Sequence, residues 1–275
     1  MLFRHARRRT RTRSDFAWGR MILPGRVPVS SSTDYKILPA GDTALVVEFG
    51  ENVDRRISAR VIALAGRLHE ARLEGIVETV PTFRSLLVHY DPLALPPAAL
   101  IARIVELMPG PQTPEQPGRV WRLPACYDAG VAPDLGDVAT AVGLAPAQLI
   151  ERHSSTTYHV YMLGFLPGQA YMGDVPGELA LARRSIPRTR IPAGSLAIAG
   201  AMTCIFPLET PCGWHIIGRS PVPLWQAGSH PQALLAPGDK VTFAPVSLRE
   251  YERLSAQAAE GSLHIAPSSA WEVAA

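Results

Sequence analysis

Read along its length, the chain changes its apolar rhythm twice. From Tyr35 to Leu107 the pattern alternates between two periods. Tyr35–Leu38 and Thr43–Phe49 are short β-rich runs separated by the turn Pro39-Ala-Gly-Asp42. Ile57, Val61, Ile62, Leu64, Ala65, Leu68 and Leu73 then recur at three- and four-residue intervals. This predicts an amphipathic helix with Asp54 near its N-terminus and Gly75 as its stop. Ile76–Pro81 and Ser85–Tyr90 read as strands, and Ala98–Leu107 reads as a second helix between Pro96-Pro97 and Pro109-Gly110. Strand, helix, strand, strand, helix predicts a small α/β sandwich over residues 35–108.

Residues 109–118, PGPQTPEQPG, carry no apolar pattern and form a stiff linker. A second unit follows over 119–250. It opens with a strand at Val120–Pro124; Asp134-Leu-Gly-Asp137 precedes a short helix through Val142, and Pro146–His153 makes another. Lys240–Phe243 is its last strand, and residues 251–275 are read as a tail that is helical at first, over Glu250–Ala259, and then frayed. Between them, Tyr158 to Arg219 has almost no helical spacing. Tyr158–Leu163, Ser195–Ala199 and Trp214–Ile217 are short, β-branched or aromatic, and bounded by Gly or Pro. This is the signature of strands joined by tight turns, where Gly164, Gly168, Gly173, Gly194 and Gly213 supply backbone freedom or let a ligand approach.

Composition changes this picture in two places. The net charge of +3 is an effect of residues 1–20, where seven arginines face the single acid Asp15; without them the chain carries −3. A basic surface for nucleic acid is therefore not expected. Residues 1–34 are expected to form a disordered Arg-rich extension, with Met21 as an alternative start. No apolar run approaches the roughly 20 residues of a membrane span. The three cysteines, Cys126, Cys204 and Cys212, argue against a disulfide framework and for a reducing, cytoplasmic setting.

Candidate chemistry concentrates in the turn-rich stretch. There is no Walker-type glycine loop, and Lys36 and Lys240 are the only lysines, so the chain is not a self-contained P-loop ATPase. Ser195 lacks the surroundings of a nucleophile elbow, and the cysteines and histidines lack zinc spacing, so no metal site is expected. His153 reads either as a general acid/base or as a buried, hydrogen-bonded histidine. Arg183, Arg184 and Arg188 share one loop and suit a carboxylate or phosphate, or a surface acid. Trp214 suits a core position or a ligand platform, and Arg84-Ser85, at the mouth of a strand, is placed to face the other unit.

A set of ordered motifs then resembles the KipI family, also called the 5-oxoprolinase B subunit or the allophanate hydrolase subunit 1 domain (carboxyltransferase subdomain C/D). The first half contributes Gly41-Asp42-x-Ala44-Leu45-x-Val47-x-Phe49-Gly50 and Val80-Pro81-x-x-Arg84-Ser85-Leu86-x-Val88-x-Tyr90-Asp91-Pro92. Further matches are Pro133-Asp134-Leu135, His153, Tyr158-x-Val160-Tyr161-Met162-Leu163-Gly164-Phe165-x-Pro167-Gly168, Pro187-Arg188, Pro192-Ala193-Gly194-Ser195 and Gly213-Trp214-x-x-x-Gly218-Arg219. The resemblance covers about residues 35–250. It implies an α+β chain whose second unit is a cyclophilin-like β-barrel. The chain would work with a KipA-like C subunit and a lactam-utilisation A subunit to open 5-oxoproline with ATP. Magnesium would accompany the nucleotide. No biotin is implied on this chain.

On that basis the expected catalytic set is Arg183, Arg188, His153 and Ser195. The expected binding set is Tyr158, Gly164, Phe165, Pro167, Gly168, Pro192, Gly194, Gly213, Trp214, Arg219 and Arg84. The resemblance also leaves two other roles open, an inhibitor of a sensor histidine kinase and a carboxyltransferase component of the urea carboxylase or allophanate hydrolase type. The sequence departs from the family pattern at Gln169, Met202, Cys204 and Cys212. At the last two, the loss of glycine implies re-formed turns.

Overall fold

The computed structural model describes residues 30–31 and 34–268, so the expected disordered extension over 1–34 lies outside the described residues except at Ser30–Ser31, where a short strand pairs instead, and at Asp34; the extreme C-terminus also lies outside them. The first unit is built from β1 (Ser30–Ser31), β2 (Lys36–Pro39), β3 (Ala44–Glu48), α1 (Arg55–Ala71), β4 (Ile76–Pro81), β5 (Ser85–Tyr90) and α2 (Pro97–Glu106). The strands pair antiparallel in the order β1-β2-β3-β5-β4. Leu86, Val88 and Tyr90 alternate to one face of β5. They meet Val61, Leu64 and Leu68 of α1 and Leu100 and Ile104 of α2 in a common core.

α1 starts as expected, with the Asp54 carboxylate accepting from the amides of Arg56 and Ile57. It does not run on to Gly75. Arg72 takes the left-handed conformation (φ 44°) and ends the helix there.

The second unit comprises β6 (Val120–Cys126), α3 (Leu135–Ala141), α4 (Pro146–Ser155), β7 (Tyr158–Leu163) and β8 (Ala170–Gly173). It continues with β9 (Arg188–Ile191), β10 (Ser195–Ala199), β11 (Met202–Ile205), β12 (Thr210–Cys212), β13 (His215–Arg219), β14 (Lys240–Val246) and α5 (Leu248–Ala259). Seven strands close a barrel in the order β10-β11-β8-β7-β14-β6-β13, and β9 and β12 form a separate two-stranded ribbon. β14 pairs parallel with β6 along seven residue pairs.

Every residue of β10 is buried because the strand is covered on both faces. Leu196 and Ile198 enter the main barrel core with Tyr158, Met172 and Phe243. Ala197 and Ala199 face a second apolar layer with Cys204, Phe206, Cys212, Trp214 and Ile191. Cys204 and Cys212 are therefore strand residues pointing into that layer, and neither has a positive φ. The expectation of re-formed turns at these positions is corrected: both lie within strands.

Phe83, at the β4–β5 turn, sets its ring 5.9 Å from that of Tyr161 and 5.8 Å from that of Tyr171. Beside it an ionic chain crosses from unit to unit. Arg55 pairs with Asp174 at 2.6 Å, Lys240 Nζ lies 2.9 Å from Glu115 of the linker, and Lys240 also donates to His159 Nδ1 at 3.0 Å. With Nδ1 accepting, His159 carries its proton on Nε2 and donates to the Ser58 hydroxyl at 3.1 Å. The linker presses so closely here that a Cβ on Gly118 would lie 2.0 Å from the Gly238 carbonyl oxygen.

Candidate functional site

The predicted site residues separate into a core group, a rim and an arginine loop. His153 and Tyr158 belong to the core. His153 is fully buried and its ring stacks on Phe243 at 4.9 Å. The Thr203 hydroxyl donates to the Ala197 carbonyl, so it accepts from His153 Nε2–H, and Nδ1 accepts from the Tyr127 hydroxyl at 2.8 Å. Burial pushes the His153 pKa down to about 3, so the ring is neutral and both nitrogens are committed. The general acid/base role is corrected: His153 is a structural histidine. Tyr158 is likewise no binding residue, because it is fully buried and its hydroxyl donates to the His153 carbonyl.

The rim forms where the 192–195 turn meets the end of β13. Gly194 is left-handed (φ 81°), and a Cβ there would lie 2.4 Å from the Ser220 carbonyl oxygen, so the position needs glycine. Arg219 donates through Nε to the Ala193 carbonyl, and Ser195 pairs with Arg219 across the ladder. Ser195 is 1% exposed, and its hydroxyl donates to the Pro192 carbonyl at 2.7 Å. That commitment removes it as a nucleophile. The β7–β8 turn supplies Gly164, Phe165, Pro167 and Gly168. Phe165 is 66% exposed and held at φ 71°, a conformation that is costly for a bulky side chain. Gly168 packs against the Leu224 carbonyl and Trp225. Arg84 is tied back within its own unit, its guanidinium donating to the Gly50 carbonyl, and the neighbouring Phe83 makes the ring contact to Tyr161.

The arginine loop is the most polarised part. Arg183 lies over the Trp214 ring at 5.8 Å. Arg188 forks onto Asp134 through Nη1 (2.7 Å) and Nη2 (2.6 Å), and Arg184 Nη1 adds a third bond at 2.9 Å. The Ile216 amide completes the set at 2.7 Å. Burial alone would raise the Asp134 pKa. The Arg188 fork, the Ile216 amide and the two arginine charges outweigh it and hold the carboxyl below its ordinary range. Two guanidinium groups thus share one carboxylate, and Arg184 Nε is buried without a partner among the described residues. The loop is further stitched to the Gly213–Trp214 turn by Arg184 N–H donating to the Gly213 carbonyl.

Sequence reasoning recognised the arginines but missed Asp134 as their anchor; its signals were its place before a helix and the Pro133-Asp134-Leu135 motif, and neither tied it to the arginines. Arg183, Arg188, Gly213 and Trp214 are brought together. Ser195, Gly194, Pro192 and Arg219 gather instead at the rim.

Among the described residues, two cavities lie away from both clusters. A cavity of about 100 Å³ at the unit junction is lined by Glu115, Gly118, His159 and Gly238. A shallower groove on the β4 side is lined by Val77, Glu78, His89 and Asp91.

Residues 35–235 match the profile of the carboxyltransferase domain, subdomain C and D. The chain belongs to this family. The B subunit of the 5-oxoprolinase of Bacillus subtilis (strain 168) is 37% identical over 228 residues, covering 79% of this chain and 95% of that protein. The crystal structure of TTHA0988 superposes with a TM-score of 0.67 at 34% identity, over 74% of this chain and 39% of that one. The chain thus spans about two fifths of TTHA0988. The urea amidolyase of K. lactis shares the fold, with a TM-score of 0.69 at 22% identity over 89% of this chain and 17% of that one. Among the described residues, no helix is long and apolar enough to cross a membrane.

Proposed function

We propose that this chain is the B subunit of an ATP-dependent 5-oxoprolinase. Together with a KipA-like C subunit and a lactam-utilisation A subunit, it would convert 5-oxo-L-proline, ATP and water to glutamate, ADP and phosphate. The observation that carries this reading is the 37% identity to a 5-oxoprolinase B subunit across 95% of that protein. The chemistry is consistent with it. A five-membered lactam is a stabilised amide, and phosphorylating its carbonyl oxygen creates a leaving group before water attacks. Such a step calls for cationic donors around the phosphoryl group. Arg183 over Trp214, with Arg184 and Arg188 sharing one carboxylate, offers a net positive loop for that purpose.

On this reading the first unit is the family's α/β sandwich, the barrel is cyclophilin-like, and the divisions at 35–108, 109–118 and 119–250 are functional units. ATP and its magnesium would be shared with the KipA-like partner. The complex would be cytoplasmic, in keeping with three cysteines that are free and buried. His153 and Ser195 drop out of the expected catalytic set and Tyr158 out of the binding set; Arg183 and Arg188 remain as cationic candidates, and Gly194, Arg219 and the exposed Phe165 as binding candidates.

The test is co-expression with the KipA-like and lactam-utilisation partners, followed by measurement of glutamate formed from 5-oxoproline and ATP. Absence of ATP-dependent glutamate from a purified, intact complex sinks the proposal. A second reading, a carboxyltransferase unit of the urea amidolyase kind, has the shared fold in its favour. Turnover of a urea-derived amide in the same assay, in place of 5-oxoproline, would select it.

A further inference from the structure

We propose that Asp134 is the positioning residue of the arginine loop, the carboxylate that orients Arg184 and Arg188 so that the loop can grip a phosphate-type anion. The inference rests on the reading above, in which this loop meets an anionic group. Asp134 stands immediately before α3, and its side chain is 2% exposed. Its own N–H donates to the Ile216 carbonyl at 3.0 Å while its Oδ2 accepts from the Ile216 N–H at 2.7 Å. This two-point clasp on β13 holds the carboxylate by bonds that involve neither arginine.

Each remaining acceptor direction is then taken by a guanidinium. Oδ1 receives Arg184 Nη1 and Arg188 Nη2, and Oδ2 receives Arg188 Nη1. A bidentate fork fixes the plane of a guanidinium as well as its distance. Arg188 is therefore the tether. Arg184 meets Asp134 by one nitrogen and keeps a buried Nε–H without a partner among the described residues. A buried donor of this kind is costly unless something accepts from it. The Nε–H itself is enclosed, so a phosphate oxygen seated beside Arg183 and Arg184 would meet the outer part of the Arg184 guanidinium, whose side chain is 29% exposed.

Around this point the loop is held to the strands by other bonds. His215 Nε2 donates to the Ala182 carbonyl, Arg184 N–H reaches the Gly213 carbonyl, and Arg188 pairs with Cys212 in the ribbon. The backbone of the loop is thus fixed independently of Asp134, and what Asp134 sets is where the charges point. With both carboxylate oxygens committed to Arg184, Arg188 and the Ile216 amide, Asp134 acts through the arginines.

The experiment titrates the full-length chain with inorganic pyrophosphate and follows tryptophan fluorescence, Trp214 being the indole beneath Arg183. Asp134→Asn, Arg184→Met and the double variant are compared with the unaltered protein, each after a thermal melt establishes that it is folded. Loss of one charge-assisted hydrogen bond corresponds to about a tenfold change in affinity. Asp134→Asn is expected to weaken binding by about tenfold, and Arg184→Met by a similar factor. The double variant is expected to be little weaker than either, because both substitutions remove the same oriented donor. If Asp134→Asn fails to fold, Arg188→Lys takes its place; it keeps the charge but loses the fork, and the same weakening is expected.

Unchanged or tighter binding by Asp134→Asn, additive losses in the double variant, or no binding by the unaltered chain would each overturn the inference. Turnover by the assembled complex separates the two claims. A complex that makes glutamate normally with Asp134→Asn refutes the role of Asp134 and leaves the activity standing. A complex of unaltered proteins that makes none refutes the activity, while the pyrophosphate titration still decides Asp134.

Discussion

Replacing His153 by glutamine tests the structural role of that histidine through its titration. In the folded chain burial holds its pKa at about 3, against 6.5 for a free imidazole. The folded protein thus keeps the ring neutral where the unfolded chain takes up a proton. The stability this represents is fully present above pH 6.5 and is lost as the pH falls from there toward 3. From these two values the loss is about 2 kcal/mol at pH 5 and about 4 kcal/mol at pH 3.

A glutamine at this position could offer one donor toward Thr203 and one acceptor toward Tyr127, but it does not titrate. Urea unfolding at pH 8, 7, 6 and 5 is the assay. The unaltered chain is expected to be the more stable at pH 8, since the ring also stacks on Phe243. That advantage should shrink by about 2 kcal/mol by pH 5. A gap that stays constant with pH would refute the assignment. So would a folded His153→Gln complex whose kcat falls by about a hundredfold, because that is the behaviour of a general acid or base.

Other perturbations probe the junction and the outer layer. Lys240→Met leaves the Glu115 carboxylate and His159 Nδ1 without their shared donor, and should cost about 1–2 kcal/mol in urea unfolding; Lys240→Arg should not restore it, since a planar guanidinium replaces a compact ammonium. His159 is held at about pKa 4 by burial and then by the Lys240 and Arg55 charges, with Glu115 and Asp174 opposing. It should add to the acid sensitivity below pH 6.5, so a His159→Gln chain should show a shallower loss of stability with falling pH. Phe83→Ala removes ring contacts to Tyr161 and Tyr171, each worth about 0.5–1.5 kcal/mol, and should increase proteolysis of the 109–118 linker. Gln169→Leu deletes a buried amide oxygen that has no partner among the described residues, and the melting temperature should hold or rise.

Local structure was readable wherever a segment was long enough to show its period or sharply bounded. Ile76–Pro81, Ser85–Tyr90, Tyr158–Leu163 and Ser195–Ala199 begin and end where Gly, Pro and the β-branched runs placed them. β8, β9, β11 and β12 have three or four residues each, too few for any period to register. Helix ends followed the side chains more than the glycines, as Arg72 shows by terminating α1 ahead of Gly75. At the site, residue type pointed to the arginines, while their partner lay 54 positions away from Arg188. Nothing in a single chain couples such positions. The junction was equally hidden: Lys240, one of two lysines, is joined to Glu115 and His159 only by the fold.

β14 occupies the place between β6 and β7 that completes the ring of strands, and its residues are 120 positions downstream of their β6 partners. A ribosome must therefore deliver nearly the whole chain before the cylinder can shut, while the first sheet and its helices need nothing beyond residue 106. Synthesis should proceed in two acts, an early local collapse and a late, slow closure governed by the most distant contact. Products ending before Lys240 would leave β6 and β7 with bare edges, ready to pair with other chains.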